Sequence, residues 1–153
     1  MKAKIKKLIR NKENPVFLGL GNEIRGDDGV GIFITKKIKK DYKTIIGEKN
    51  PEKHLKKIKK EEPDLLFIID SMDNNSPPGS VIFSEAKNIK KRSMSSHRMP
   101  IPVLVEILKD KLPNLEVYLI GIQPKKIDIK EELSDEVKET AETIIGLLRD
   151  LSR

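Results

Sequence analysis

Residues 16–31 read Val-Phe-Leu-Gly-Leu-Gly-Asn-Glu-Ile-Arg-Gly-Asp-Asp-Gly-Val-Gly: a short apolar run, then a loop with glycines at 19, 21, 26, 29 and 31. An amphipathic pattern begins at Val30. A buried strand, a glycine loop and a helix in that order constrain the fold more than any other stretch. Open α/β sheets keep their ligand sites at such turns. Glycine lets the backbone turn tightly and approach a ligand closely, and this loop also carries two adjacent carboxylates, Asp27 and Asp28.

Adjacent acids fit a helix N-terminus, where the dipole favours negative charge, and both could simply cap the helix. One cap does not require two acids, however, and neighbours on a turn point in different directions. We therefore assign Asp27 to capping and backbone bonds and Asp28 to the open cleft. A nucleotide site is rejected by spacing. The dinucleotide fingerprint Gly-x-Gly-x-x-Gly is met at Gly19 and Gly21, but Ile24 stands at the third glycine. No Gly-Lys-Ser/Thr follows for a phosphate loop, and two carboxylates repel a pyrophosphate. Acids on a glycine loop suit a cation or acid/base chemistry.

The apolar patterning extends this unit along the chain. Val16–Leu20 reads as the first strand, and Val30, Phe33, Ile34 and Ile38 as the stripe of a helix. Tyr42–Ile46 is a short second strand. Asn50-Pro51 opens a largely polar helix running to about Glu62. Leu65–Ile69, apolar throughout, fits a central strand covered on both faces and ends at Asp70. The turn formers of 73–79 lead back into Ser80–Ser84, expected to run antiparallel to its neighbour. Residues 86–96 read as irregular. Ile101, Leu104, Val105, Leu108 and Leu112 form another helical stripe, Leu115–Ile122 the last strand, and Ser134 caps a final helix with stripe Val137, Ala141, Ile144, Leu148 and Leu151.

This βαβαββαβα order with short connections implies a doubly wound, three-layer α/β/α sandwich. Its central five-stranded sheet is expected to be mixed and mostly parallel. Residues 15–153 are expected to form a single α/β domain, with residues 1–14 as a basic N-terminal accessory helix docked through Ile5, Leu8 and Ile9. Right-handed crossovers put the loops after strands one and three on one edge, so residues 21–28 and Asp70 should converge.

Composition removes several classes. The 153 residues contain no cysteine, which excludes a thiol nucleophile, a disulfide framework and a thiolate metal site within the chain. A cytoplasmic location is the simplest expectation. The basic amino terminus has no apolar core of a signal peptide, and the longest apolar run, Leu65–Ile69, is too short to span a membrane. The net charge is +7, yet the lysines are dispersed and interleaved with glutamates. Only two tyrosines and four phenylalanines occur, so a stacking platform for single strands is not expected. The charge reads as a thermophile-like surface rather than a nucleic-acid interface.

Three side chains stand out on separate loops. Asp70 follows five apolar residues, and a carboxylate so placed is costly to desolvate unless paired or ligating. His97 lies in Ser-Met-Ser-Ser-His-Arg-Met-Pro just before a helix, whereas His54, on a polar helix, reads as solvated. Asp28, Asp70 and His97 together make an oxygen, oxygen, nitrogen set suited to a borderline divalent cation such as zinc or nickel. Serines 93, 95 and 96 lie near His97, but there is no Gly-x-Ser-x-Gly elbow. There is no His-Glu-x-x-His either. Water attack assisted by a carboxylate, a metal or both remains.

Several of these segments recur together in one family. Gly19–Gly31, Leu66-Phe-Ile-Ile-Asp70, Pro78-Gly79, Ser96-His-Arg-Met-Pro100, Gly121-Ile-Gln-Pro124 and Leu133-Ser134 occur in the order found in the nickel–iron hydrogenase maturation endopeptidases, which the chain resembles. The Ser-His-Arg-Met-Pro segment is similar to the branch serving formate-hydrogenlyase and energy-converting enzymes. The resemblance implies an aspartic-type hydrolase that removes the C-terminal extension of a hydrogenase large-subunit precursor. It carries metal contact and catalysis over to Asp28, Asp70 and His97. The nickel would be supplied by the loaded substrate rather than kept as a resident cofactor. No nucleic-acid or membrane partner is implied, and a monomer is expected. One departure is Ile46-Gly47-Glu48-Lys49, where relatives commonly carry an Asp-Gly-Gly-type segment. A peptidyl-tRNA hydrolase-like enzyme shares the opening Gly-Leu-Gly-Asn but needs a histidine that positions 23–40 lack. A non-catalytic metal-binding or partner-binding chaperone is the other alternative.

Overall fold

The computed structural model describes residues 1–89, 99–125 and 132–153. Helix α1 (Lys2–Asn11) precedes strand β1 (Pro15–Leu20), helix α2 (Val30–Lys37), strand β2 (Lys43–Glu48) and helix α3 (Leu55–Glu61). Strands β3 (Leu65–Ser71) and β4 (Val81–Glu85), helix α4 (Ile101–Lys111), strand β5 (Glu116–Ile122) and helix α5 (Asp135–Leu151) complete the order. The five strands are arranged β2-β1-β3-β5-β4. Three of the pairings are parallel and only β4 runs antiparallel, against β5. The expected mixed, mostly parallel sheet is therefore present. The reversal after β3 does not return the chain to β3, because β5 occupies that flank.

Burial on both faces explains the unbroken apolar runs of β1 and β3. Successive residues alternate between two cores. Phe17, Leu65, Phe67, Ile69, Tyr118 and Ile120 pack with α1, α2 and α5, while Val16, Leu18, Leu66, Ile68, Val117 and Leu119 pack with α3 and α4. From α1, Ile5 and Leu8 are buried in the first core. The polar segment opening at Pro51 differs from expectation. It begins as a 3₁₀ turn, Pro51–His54, without a side-chain cap from Asn50, and becomes α-helical only at Leu55. His54, expected to be solvated, is half-buried at that junction.

The chain's few aromatics concentrate in one row. Tyr42 beside β2, Phe17 on β1, Phe67 on β3, Tyr118 on β5 and Phe83 on β4 follow the strand order, with ring centroids 4.8–6.5 Å apart. Pairs at this spacing add about 0.5–1.5 kcal/mol each beyond their buried area. Both tyrosines keep a polar tie, since the Tyr42 hydroxyl donates to the Leu148 carbonyl and that of Tyr118 to Glu85.

Two glycines of the β1–α2 segment serve packing rather than a ligand. A Cβ on Gly31 would lie 2.1 Å from the Ile69 carbonyl oxygen, and one on Gly19 would lie 2.4 Å from the Thr35 hydroxyl. Helix α2 thus rests directly on the backbones of β1 and β3. A Cβ on Gly146, exposed in α5, meets nothing within 4 Å. Gly31→Ala should therefore lower unfolding stability by about 3 kcal/mol or more. Gly146→Ala should raise it by about 1 kcal/mol through helix propensity. Urea denaturation of both variants checks the contrast, and equal effects would contradict this packing.

Burial, then the Asp41 charge, raises the Tyr42 pKa to about 12, and burial, then Glu85, raises Tyr118 to about 12. The fold favours the neutral phenols. Their contribution is full below an unfolded pKa of about 10 and is lost as pH climbs through the folded value. Ultraviolet titration should give one midpoint near 10 for denatured protein and none near 10 for folded protein.

Candidate active site

The carboxyl ends of the parallel strands carry the acids. After Leu20 the chain turns at Gly21, whose φ of +126° and a Cβ position only 1.9 Å from the Asp28 carbonyl oxygen exclude any side chain. The Gly21 N–H donates to the Glu48 carbonyl at the end of β2, and that of Asn22 to the Asp28 carbonyl. These bonds fold residues 21–28 back on themselves before a 3₁₀ turn, Gly26–Gly29, leads into α2. The same Gly21 position lies 3.7 Å from Asp70 Oδ1, so the loop sits over the end of β3.

Asp27 and Asp28 divide their roles, though not entirely as expected. No side chain caps α2. Fully buried Asp27 instead accepts bonds from the Lys125 N–H at 2.8 Å and from the N–H and hydroxyl of Ser134 at 2.7 and 2.8 Å. Ser134 occupies the N-cap position of α5 without capping it, because its hydroxyl is turned to Asp27. The expected capping role is thus a long-range tie between the β1–α2 loop and two other segments. An amide at position 27 offers one acceptor oxygen and places donors against donors. Asp27→Asn should destabilise the chain by about 3 kcal/mol and Ser134→Ala by about 1 kcal/mol, read by urea denaturation. A neutral Asp27→Asn would refute the tie.

Asp28 is half-buried and meets β3. Asp70 is only 5% exposed and lies within β3, in register with Gly121, rather than in the loop beyond it. Ser71 joins the two acids: its N–H donates to Asp70 Oδ1 at 2.8 Å and its hydroxyl donates to Asp28 Oδ1 at 3.1 Å. The expected convergence of Asp28 with Asp70 is therefore present, through a serine that sequence reasoning passed over. Its only sequence signal is its position directly after Asp70. His97 lies outside the described residues.

The neighbouring β3–β4 loop is braced from β5. Gln123, buried at the end of β5, accepts from the N–H groups of Asn74 and Ser76 and donates to Asp73. The Gln123 amide, then the Asn75 N–H, holds the Asp73 carboxyl below its ordinary range. Among the described residues, no group of three or more His, Cys, Asp or Glu side chains is arranged to hold a metal ion. Asp28 and Asp70 offer two carboxylates, a donor set that suits acid/base work or part of a cation site.

Acids at the carboxyl ends of β1 and β3, neighbouring parallel strands between which the strand order reverses, place the candidate site at the topological switch point of an open α/β sheet. The HycI hydrogenase maturation protease profile matches residues 35–150, a span that includes Asp70 and begins after Asp28. The chain belongs to the hydrogenase maturation protease family. Its relatives include the hydrogenase 3 maturation protease of Escherichia coli K12, 30% identical over 84% of this chain and 85% of that protein. The hydrogenase maturation protease HycI of Thermococcus kodakarensis superposes with a TM-score of 0.87 at 26% identity, covering 97% of this chain and 98% of that one. The endopeptidase HycI of Escherichia coli gives a TM-score of 0.79 at 27% identity, covering 92% of each chain. Membership of this family displaces the peptidyl-tRNA hydrolase alternative. No helix among the described residues is long and apolar enough to cross a membrane.

Proposed function

We propose that this chain is the endopeptidase that removes the C-terminal extension of a nickel-loaded nickel–iron hydrogenase large-subunit precursor. The observation that carries this reading is the meeting of Asp28 and Asp70 on Ser71, in a chain of the maturation protease family. In this reading, Asp28, Asp70 and His97 receive the nickel that the substrate already holds. Two carboxylates close to one another repel, and a divalent cation brought by the substrate relieves that repulsion. A precursor without nickel gains nothing from the acids, so loaded substrate is selected. The cysteine-free composition supports a cytoplasmic setting.

Hydrolysis adds a water oxygen to the scissile carbonyl carbon, breaks the C–N bond and delivers a proton to the departing amine. A carboxylate at the site accepts the proton from water and returns it to the leaving nitrogen. With no thiol in the chain and no Gly-x-Ser-x-Gly elbow, water is the nucleophile in this reading and the carboxylates supply the base.

Incubation with nickel-loaded precursor followed by intact-mass measurement tests this reading. We expect loss of the extension, no loss from nickel-free precursor, and rates reduced by about 10²–10⁴ in folded Asp28→Ala or Asp70→Ala protein. Undiminished cleavage by both variants would refute their roles. Tight binding of the precursor without cleavage by the unaltered protein would favour the chaperone alternative.

A further inference from the structure

We propose that Ser71 is the positioning residue of the two-carboxylate site, holding Asp28 in one rotamer beside Asp70 so that both acids meet an incoming cation together. The inference rests on the substrate-metal reading above and adds to it a residue on which that reading depends.

Asp28 stands in the 3₁₀ turn Gly26–Gly29 and Asp70 at the buried end of β3, so the backbone sets where each residue stands but not which rotamer the Asp28 side chain adopts. Ser71 is the covalent neighbour of Asp70, and its β3 position is set by parallel pairing with β5, where Ser71 is in register with Ile122. Its N–H holds Asp70 Oδ1 and its hydroxyl crosses to Asp28 Oδ1. One residue of the rigid sheet thus orients an acid from the sheet and an acid from the loop.

The chemistry of the donor suits this task. Two nearby carboxylates repel one another, and a mobile Asp28 would relax by rotating away. A neutral hydroxyl offsets part of that repulsion without neutralising either acid, whereas a lysine or arginine there would compete with a cation. A carboxylate has about four lone-pair sites, so Asp28 can accept from Ser71 and still ligate. Hydrogen-bond partners behind metal-contacting groups typically matter by 10–100-fold in metal affinity. Alanine removes only the hydroxyl and leaves the N–H on Asp70. Threonine keeps the hydroxyl.

Two measurements on the full-length protein test the proposal. In metal-free protein, three-bond couplings should show a single χ1 rotamer for Asp28 in the unaltered chain and in Ser71→Thr, and rotamer averaging in Ser71→Ala. A fixed rotamer in Ser71→Ala overturns the proposal, whatever the protein does with metals. In calorimetric titration with cadmium, Ser71→Ala should bind about 10–100-fold more weakly, and Ser71→Thr within about threefold of the unaltered protein. Undiminished cadmium affinity in Ser71→Ala also overturns it. If the unaltered protein binds no cadmium while Asp28 loses its fixed rotamer in Ser71→Ala, the metal reading falls and the positioning role of Ser71 stands.

Discussion

A carboxylate removed from water and held by several donors is among the strongest local restraints a chain can build, and Asp27 is such a group. Its oxygens gather the N–H of Lys125 and both donors of Ser134. The glycine loop after β1, the segment leaving β5 and the start of α5 therefore meet at one point. Gly21 and Gly31 complete the restraint, since Gly21 leaves no room for a side chain where the loop folds back on Asp28, and Gly31 none between α2 and the strands. Asp28 takes its position from this arrangement. The turn that presents it is clamped one residue earlier, and Ser71 aligns it from β3.

The frame of the fold was legible because hydrophobic period reports burial. Leu65–Ile69 is apolar throughout because two helical layers cover it, and the stripes of α2, α4 and α5 face the sheet. Partner choice was harder to read. The order β2-β1-β3-β5-β4 pairs β4 with a strand more than thirty residues later in the chain, and no local pattern encodes that choice. The 3₁₀ opening at Pro51 was also hidden, since proline suits the first turn of either helix type. The aromatic row across the sheet depends on strand order and could be seen only once that order was known.

At the site, acidic identity and strand-end position pointed to Asp28 and Asp70, because a charge beside an apolar run needs a reason. What sequence concealed was the wiring between them. Ser134 has the residue type and place of a helix cap, yet its hydroxyl serves an acid 107 residues away. Ser71 looks like any strand-end serine, and its meaning lies in a hydrogen bond spanning 43 residues. Such long-range contacts follow from topology and register, which act beyond the reach of a local pattern. His97 entered from its loop and from family resemblance and lies outside the described residues.

The span of the Asp27 contacts has a consequence for biosynthesis. Domains generally fold as units during synthesis, and Asp27 leaves the ribosome long before Ser134, 107 positions downstream. The acid-bearing turn gains its anchor, and one face of the sheet its cover, only when the final helix begins to appear. Proteolytic competence is therefore a late acquisition, and a truncated or stalled translation product lacks the clamp that an active cutting edge needs.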